Sequence, residues 1–186
     1  MGFTRIELES FRDHTVPDLV TEGTRLLFVG INPGLWTAAT QTHFCHPSNR
    51  FYPALSRAGL IDFRIDTDRG MTPEQRLDFT SRGMGISNLV RRATVRASEL
   101  TSGELREGGE RLLRLVDVVR PRVVAVVGVT AYRTAFGVRS ADLGHQDLDS
   151  SAEWWVLPNP SGLNAHVQID DLAEWFHTVA VRAGIL

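Results

Sequence analysis

Three stretches of the chain share one hydrophobic plan: an apolar, largely β-branched run, then a loop rich in Gly, Pro and Asn, then a helical pattern. The first is RLLFVG (25–30), followed by INPGLWTAATQTHFCHP and a helix predicted from about Asn49 to Ala58. Ser48 reads as its N-cap and Gly59 as its left-handed stop. The second is RVVAVVG (122–128), leading into a helical stretch from Thr130 to Phe136. The third is EWWVLPNPSGLNAH (153–166), leading into a helix across Asp170–Ala183 that stops at Gly184. Between them, TPEQ (72–75) is a capping box with proline at the first helical position. GMGISNL (83–89) reads as a short strand, and TSGELREGGERLLRLVDVVRP (101–121) as an amphipathic helix stopped by Pro121.

Continuous apolar strands interleaved with helices predict an α/β fold, a single-domain three-layer α/β/α arrangement with a mostly parallel central sheet. The chain has no internal repeats, low-complexity tracts or Gly/Ser linkers, so it reads as one domain over 16–186 with 1–15 as an N-terminal extension. Parallel sheets bind ligands at the carboxyl ends of their strands. Here those ends are the loops starting at Gly30, Asn88, Gly128 and Pro158.

Composition narrows the chemistry. At 42% hydrophobic and 23% charged, 186 residues suffice for a soluble domain with a sizeable core. A formal charge of -2 rules out attachment to nucleic acid by bulk charge but leaves room for a local basic face. Such a face is visible: 82–122 holds nine arginines against five acids, whereas 141–186 holds one against seven. All 20 basic residues are arginine, which excludes Schiff-base chemistry on a side-chain amine and the lysine of a Walker loop. One cysteine, Cys45, excludes a disulfide framework, a four-thiolate zinc site and a protein-ligated iron–sulfur cluster. No apolar run reaches the length of a membrane span and the amino-terminal sequence lacks a signal-peptide layout, so the expected location is cytoplasmic.

Four motifs carry candidate chemistry. GINPG (30–34) follows the first strand, where glycines admit close backbone approach and proline fixes the chain. It is not G-x-G-x-x-G, and Asn32 either ties the turn to itself or faces a ligand. HFCH (43–46) packs three potential metal ligands into four residues, which suits few chain geometries, and no other cluster completes a site. The expected reading is Phe44 at the mouth of a pocket with His43 and His46 as hydrogen-bonding neighbours, and no metal. PNPSGLNAH (158–166) places Leu163 between Gly162 and Asn164 in a loop that should face solvent. That leucine either tucks back on the core or acts as a wedge between bases. SNLVRRATVR (87–96) groups Arg91, Arg92 and Arg96, either a solvated face or a set of phosphate contacts.

In order and spacing these motifs resemble the bacterial mismatch-specific uracil/thymine DNA glycosylases of the uracil-DNA glycosylase superfamily. The matching stretches are LLFVGINPGL, HFxHPxNRFYxxLxxAGL, GxxNLVxRATxxAxEL, ELREGGERL, PRxVAVVGxxAYR and WVLPNPSGLN, spanning about Val16 to Arg182. The resemblance implies a base-excision repair enzyme that flips a mismatched or damaged pyrimidine (uracil, thymine or ethenocytosine opposite guanine) and hydrolyses its N-glycosidic bond. Asn32 would position the attacking water. Gly30, Ile31, Pro33, Gly34, Thr37, Phe44, Asn88 and Asn159 would line the base pocket, Phe44 by stacking on the base. Gly162, Leu163 and Asn164 would fill the gap left in the duplex, beside Pro160, His166 and a phosphate-binding Ser161, with Arg91 and Arg92 on phosphates. No cofactor or metal is implied, and the expected partner is double-stranded DNA carrying a G:U or G:T mismatch, bound by a monomer. The chain departs from the pattern at Ala165, where many relatives carry arginine, and at Trp36 and Thr37 after GINPG. Two other readings compete: a catalytically weak lesion-binding module, and a nucleotide-binding α/β domain with no DNA role.

Overall fold

The computed structural model describes residues 2–164 and 167–186. Ala165 and His166, the latter an expected DNA contact, lie outside the described residues. Among the described residues five strands form one sheet: β1 (Leu26–Gly30), β2 (Met84–Asn88), β3 (Val123–Val127), β4 (Gly144–Gln146) and β5 (Glu153–Leu157). Their order is β2-β1-β3-β5-β4, with every neighbouring pair parallel except β4 and β5. Among the described residues seven α-helices accompany it: α1 (Arg5–Glu9), α2 (Leu35–Thr40), α3 (Phe51–Arg57), α4 (Pro73–Ser81), α5 (Ser102–Val119), α6 (Val129–Phe136) and α7 (Ile169–Arg182).

Strand alternation splits the core into two seams. Leu26 and Phe28 of β1 point to one side, where they pack with Phe51 and Leu55 of α3 and Leu172 and Phe176 of α7. Leu27 and Val29 point to the other, against Leu112 and Val116 of α5 and Tyr132 of α6. Because both faces are covered, β1, β2 and β3 are buried at every residue, which is why β1 and β3 read as unbroken apolar runs; β2 is buried too but carries Ser87 and Asn88. At about 1.5–3 kcal/mol per large apolar side chain removed from water, these seams supply the main stabilisation of the α/β/α layers. The chain passes from β1 to β2 in one direction and from β3 towards β5 in the other. The crevice between the carboxyl ends of β1 and β3 is therefore the topological switch point.

Several local expectations are corrected. Ser48 does not cap α3: Arg50 occupies the N-cap position, and the Asn49 side chain accepts the Phe51 amide at 2.9 Å instead. Ser48 bonds His46 Nδ1 at 2.9 Å and packs on a second loop. A short helix, α2, follows GINPG where only loop was expected. Gly59 does take the left-handed conformation after α3, at φ 76°, and Thr72 does cap α4 with a reciprocal bond to Gln75. The amino-terminal segment touches the domain at three points: Phe3 meets Trp36 edge-on, the Asp13 amide donates to the Ala93 carbonyl, and Arg12 pairs with Glu99 at 2.6 Å. Among the described residues no helix is long and apolar enough to cross a membrane.

Candidate active site

β1 and β2 run in register as far as Gly30 opposite Asn88, and their pairing continues beyond the strand ends. The amides of Leu89, Val90 and Thr94 donate to the carbonyls of Gly30, Ile31 and Pro33 at 2.9, 2.9 and 3.2 Å. Loop 30–34 is thereby laid along 88–94 with those carbonyls consumed. Its own amides at Ile31, Asn32 and Gly34 have no acceptor among the described residues. Unpaired N–H groups at the end of a sheet suit negative charge that develops on a leaving group.

The Asn32 amide is locked in one orientation. Its Nδ2 donates to Thr94 Oγ1 at 2.8 Å, Pro33 O at 3.0 Å and Arg92 O at 3.1 Å. The two carbonyls can only accept, and the Thr94 hydroxyl already donates its hydrogen to Arg96 O at 2.9 Å. These partners decide which end of the side chain is nitrogen. Asn32 Oδ1 is left with no donor among the described residues, free to accept an O–H.

A similar argument fixes Asn88. His43 is 3% exposed, and its Nε2 lies 2.8 Å from the Pro17 carbonyl, which can only accept. The proton therefore sits on Nε2. Burial pushes the His43 pKa below its ordinary value, keeping the ring neutral. Nδ1 is then an acceptor, so the Asn88 atom 2.9 Å away is the NH₂ group. Asn88 Oδ1 consequently turns to Gly30: a Cβ added at Gly30 would fall 2.3 Å from it and 3.0 Å from the Phe44 ring edge. Beneath, Arg111 donates to the Asn88 carbonyl and to Ser87 Oγ, and pairs with Asp18 at 3.2 Å.

Phe44 holds φ 57°, a left-handed conformation that bulky residues rarely adopt and that tends to mark functional positions. One face of its ring stacks on Phe51 at 4.1 Å and 24°. Behind it, the Tyr52 hydroxyl donates to the His43 carbonyl at 2.8 Å. Across the switch point, Gly128 sits at φ 124°, and a Cβ there would lie 3.4 Å from Ile31 and 3.8 Å from Asn159 Nδ2. Gly30, Phe44 and Asn88 thus meet on one side of β1, and Ile31, Gly128 and Asn159 on the other. A groove of about 990 Å³ opens beside Phe44, between Pro47, Pro53, Phe63 and Gln168–Asp170, but it contains none of the three asparagines.

Loop 159–164 is a compact turn. Asn159 Oδ1 accepts the Ser161 amide at 2.9 Å, Ser161 O accepts the Asn164 amide at 2.9 Å, and Asn164 Nδ2 donates to Asn159 O at 3.1 Å. Pro160 is buried, and Gly162 presses on Ser48 so closely that a Cβ would fall 2.5 Å from its hydroxyl. Leu163 stands 89% exposed at the tip, so it does not tuck back on the core.

Other expected positions behave differently. Thr37 is buried within α2, and its carbonyl accepts the Thr42 amide. Trp36 donates Nε1–H to Thr67 O at 2.6 Å and meets His46 edge-on. Arg92 is held in ion pairs with Glu104 at 2.5 Å and Asp13 at 2.9 Å, which offset its charge. The Arg92 guanidinium, with the Thr101 amide, holds the Glu104 carboxyl well below its usual range, at about 2. Arg91 is exposed and has no partner among the described residues. Cys45 is buried, which raises its thiol pKa, and among the described residues no group of three or more His, Cys, Asp and Glu could hold a metal ion. Thr94, the His43–Asn88 link and Arg50, whose guanidinium reaches loop 159–164, carry no mark in the local sequence.

Comparison with known proteins bears on the fold and the family. A Methanosarcina acetivorans protein provisionally named a uracil DNA glycosylase, known from solution NMR, superposes with a TM-score of 0.58. It is 20% identical, with 93% of this chain and 98% of that one covered, a likeness that shows the fold. The model of the uracil DNA glycosylase superfamily matches residues 17–180, which include every asparagine of the site. The chain belongs to the uracil DNA glycosylase superfamily.

Proposed function

We propose that the protein is a monofunctional, mismatch-specific DNA glycosylase of base-excision repair, active as a cytoplasmic monomer without cofactor or metal on uracil or a related pyrimidine opposite guanine. The observation that carries the reading is the locked Asn32 amide, whose free Oδ1 can accept one O–H of a water and aim its lone pair at the sugar. The water oxygen bonds to C1′ as the C1′–N1 bond breaks, and that electron pair leaves on the pyrimidine. The water's proton passes to solvent because an amide cannot hold it, so about 10²–10⁴-fold of general-base assistance is forgone. The unpaired amides of loop 30–34 face the departing charge, Phe44 stacks on the base, and Asn88 Oδ1 suits the N3–H of uracil or thymine. The absence of lysine supports simple hydrolysis rather than strand cleavage through a side-chain amine.

Eversion of a base costs a few kcal/mol, least at a mismatch. The exposure of Leu163 supports its use to fill the vacated stack. Single-turnover base release from a G:U duplex tests the activity. Binding to that duplex with no release would assign the chain to a lesion-binding role instead. Leu163→Ala is expected to lower duplex turnover at least tenfold, about 1.4 kcal/mol, while single-strand turnover changes little. Equal losses on both substrates would remove the wedge from the account.

The two neighbouring arginines separate in the same assay. Arg91→Ala is expected to reduce the salt dependence of duplex binding by about one unit of slope, as for one lost phosphate contact. Arg92→Ala should leave that slope unchanged, because Glu104 and Asp13 already offset its charge. Matching slopes for both variants would contradict this division.

A further inference from the structure

Arg50 opens α3, yet its side chain belongs to the other end of the sequence. The guanidinium donates to three backbone carbonyls close to Leu163 in the chain: Nη2 to Ser161 O at 2.8 Å and to Asn164 O, and Nη1 to Val167 O. The Arg50 amide adds a fourth link, to Pro160 O at 2.9 Å. Among the described residues its buried Nε has no partner and no carboxylate pairs with the charge. An arginine that forgoes an ion pair to collect carbonyls uses its rigid fork as a template: three acceptors must converge for the loop to be satisfied. Those carbonyls bracket Leu163, which stands at the tip with no packing of its own. The neighbouring contact of Gly162 with Ser48 comes from the same segment that leads into Arg50.

We propose that Arg50 is a positioning residue that holds loop 159–164 in the one shape that presents Leu163, and so makes base removal selective for a duplex. The inference rests on the glycosylase reading for its functional half and on loop geometry alone for its structural half. Preorganising the tip before DNA arrives spares the ordering cost on binding.

The experiment compares wild type, Arg50→Gln, Arg50→Lys, Leu163→Ala and the double variant Arg50→Gln/Leu163→Ala. Single-turnover uracil release is measured from a G:U duplex and from the same strand alone, and amide hydrogen exchange is followed in the full chain. Arg50→Gln is expected to slow duplex release about tenfold, a 1.4 kcal/mol equivalent, with the single strand within about twofold. The double variant should lose no more than Leu163→Ala, because both changes remove one function. Arg50→Lys should not restore duplex activity, since a single ammonium cannot span three carbonyls. Exchange at 162–164 should quicken in Arg50→Gln while the β1 amides stay protected, which excludes general unfolding.

Full rescue by lysine would make the charge rather than the fork responsible and overturn the proposal. So would additive losses in the double variant, or unchanged exchange in the loop. If wild type releases no base at all, the glycosylase reading fails, while the exchange measurement still decides whether Arg50 shapes the loop.

Discussion

Asn32→Ala is expected to lower single-turnover base release about 10²-fold or more, the usual consequence of losing the group that orients a reactant. Binding to mismatched duplex should be nearly unchanged, because Asn32 contacts loop 30–34 and loop 92–94 rather than the wedge. Truncation also strands the Arg92 carbonyl, which among the described residues accepts only from Asn32, so a loss of about 1–3 kcal/mol in stability accompanies the change. Asn32→Asp sharpens the test. An aspartate in place of Asn32 puts an oxygen against the carbonyls of Pro33 and Arg92, 3.0 and 3.1 Å away, where nitrogen now donates. Repulsion favours the protonated acid, raising its pKa above the unfolded value. The variant's stability is then fully present below the ordinary carboxyl pKa and is lost as pH rises through the shifted one. Such a residue should not outperform asparagine at neutral pH. An Asn32→Ala protein with wild-type rate would place the chemistry elsewhere.

Much of this architecture is legible in the sequence because burial and capping leave direct marks. β1, β3 and β5 announce themselves as apolar runs, and α4 by the reciprocal Thr72–Gln75 cap. β4 leaves no such mark: Gly144–Gln146 has no hydrophobic pattern and becomes a strand only because the edge of β5 offers it hydrogen bonds. α2 is equally silent, since Gly34 gives it no side-chain cap and it is held by burial of Leu35 and Ala38. The site divides in the same way. GINPG and NPSGLN stand out through residue types that ordinary turns do not need together. What aims their side chains is tertiary: His43 reaches Asn88 across 45 positions, and Arg50 reaches Ser161 and Asn164 across 111 and 114. Arg92 shows the converse, a cluster member whose charge is offset by Asp13, 79 positions earlier, and by Glu104. Local sequence cannot show either pairing.

Gly30→Ala is the second substitution with a large expected effect, and it tests whether Gly30, Phe44 and Asn88 form one pocket. The added methyl would lie 2.3 Å from Asn88 Oδ1 and 3.0 and 3.2 Å from the Phe44 ring. Neither neighbour can yield freely. Asn88 is tethered to buried His43, and Phe44 is backed by Phe51. Crowding of this kind costs about 1–3 kcal/mol of stability. The functional loss should be larger than that figure suggests, because the acceptor oxygen and the stacking surface move together, and base release is expected to fall at least tenfold. Gly59→Ala provides the matched control. It sits at φ 76° with nothing within 4 Å, so it carries only the left-handed backbone penalty of about 1–2 kcal/mol. Thermal melts should therefore shift comparably for the two variants while only Gly30→Ala loses activity. Comparable activity losses in both would mean that the Gly30 effect is one of stability, and the pocket would have to be sought away from the β1–β2 junction.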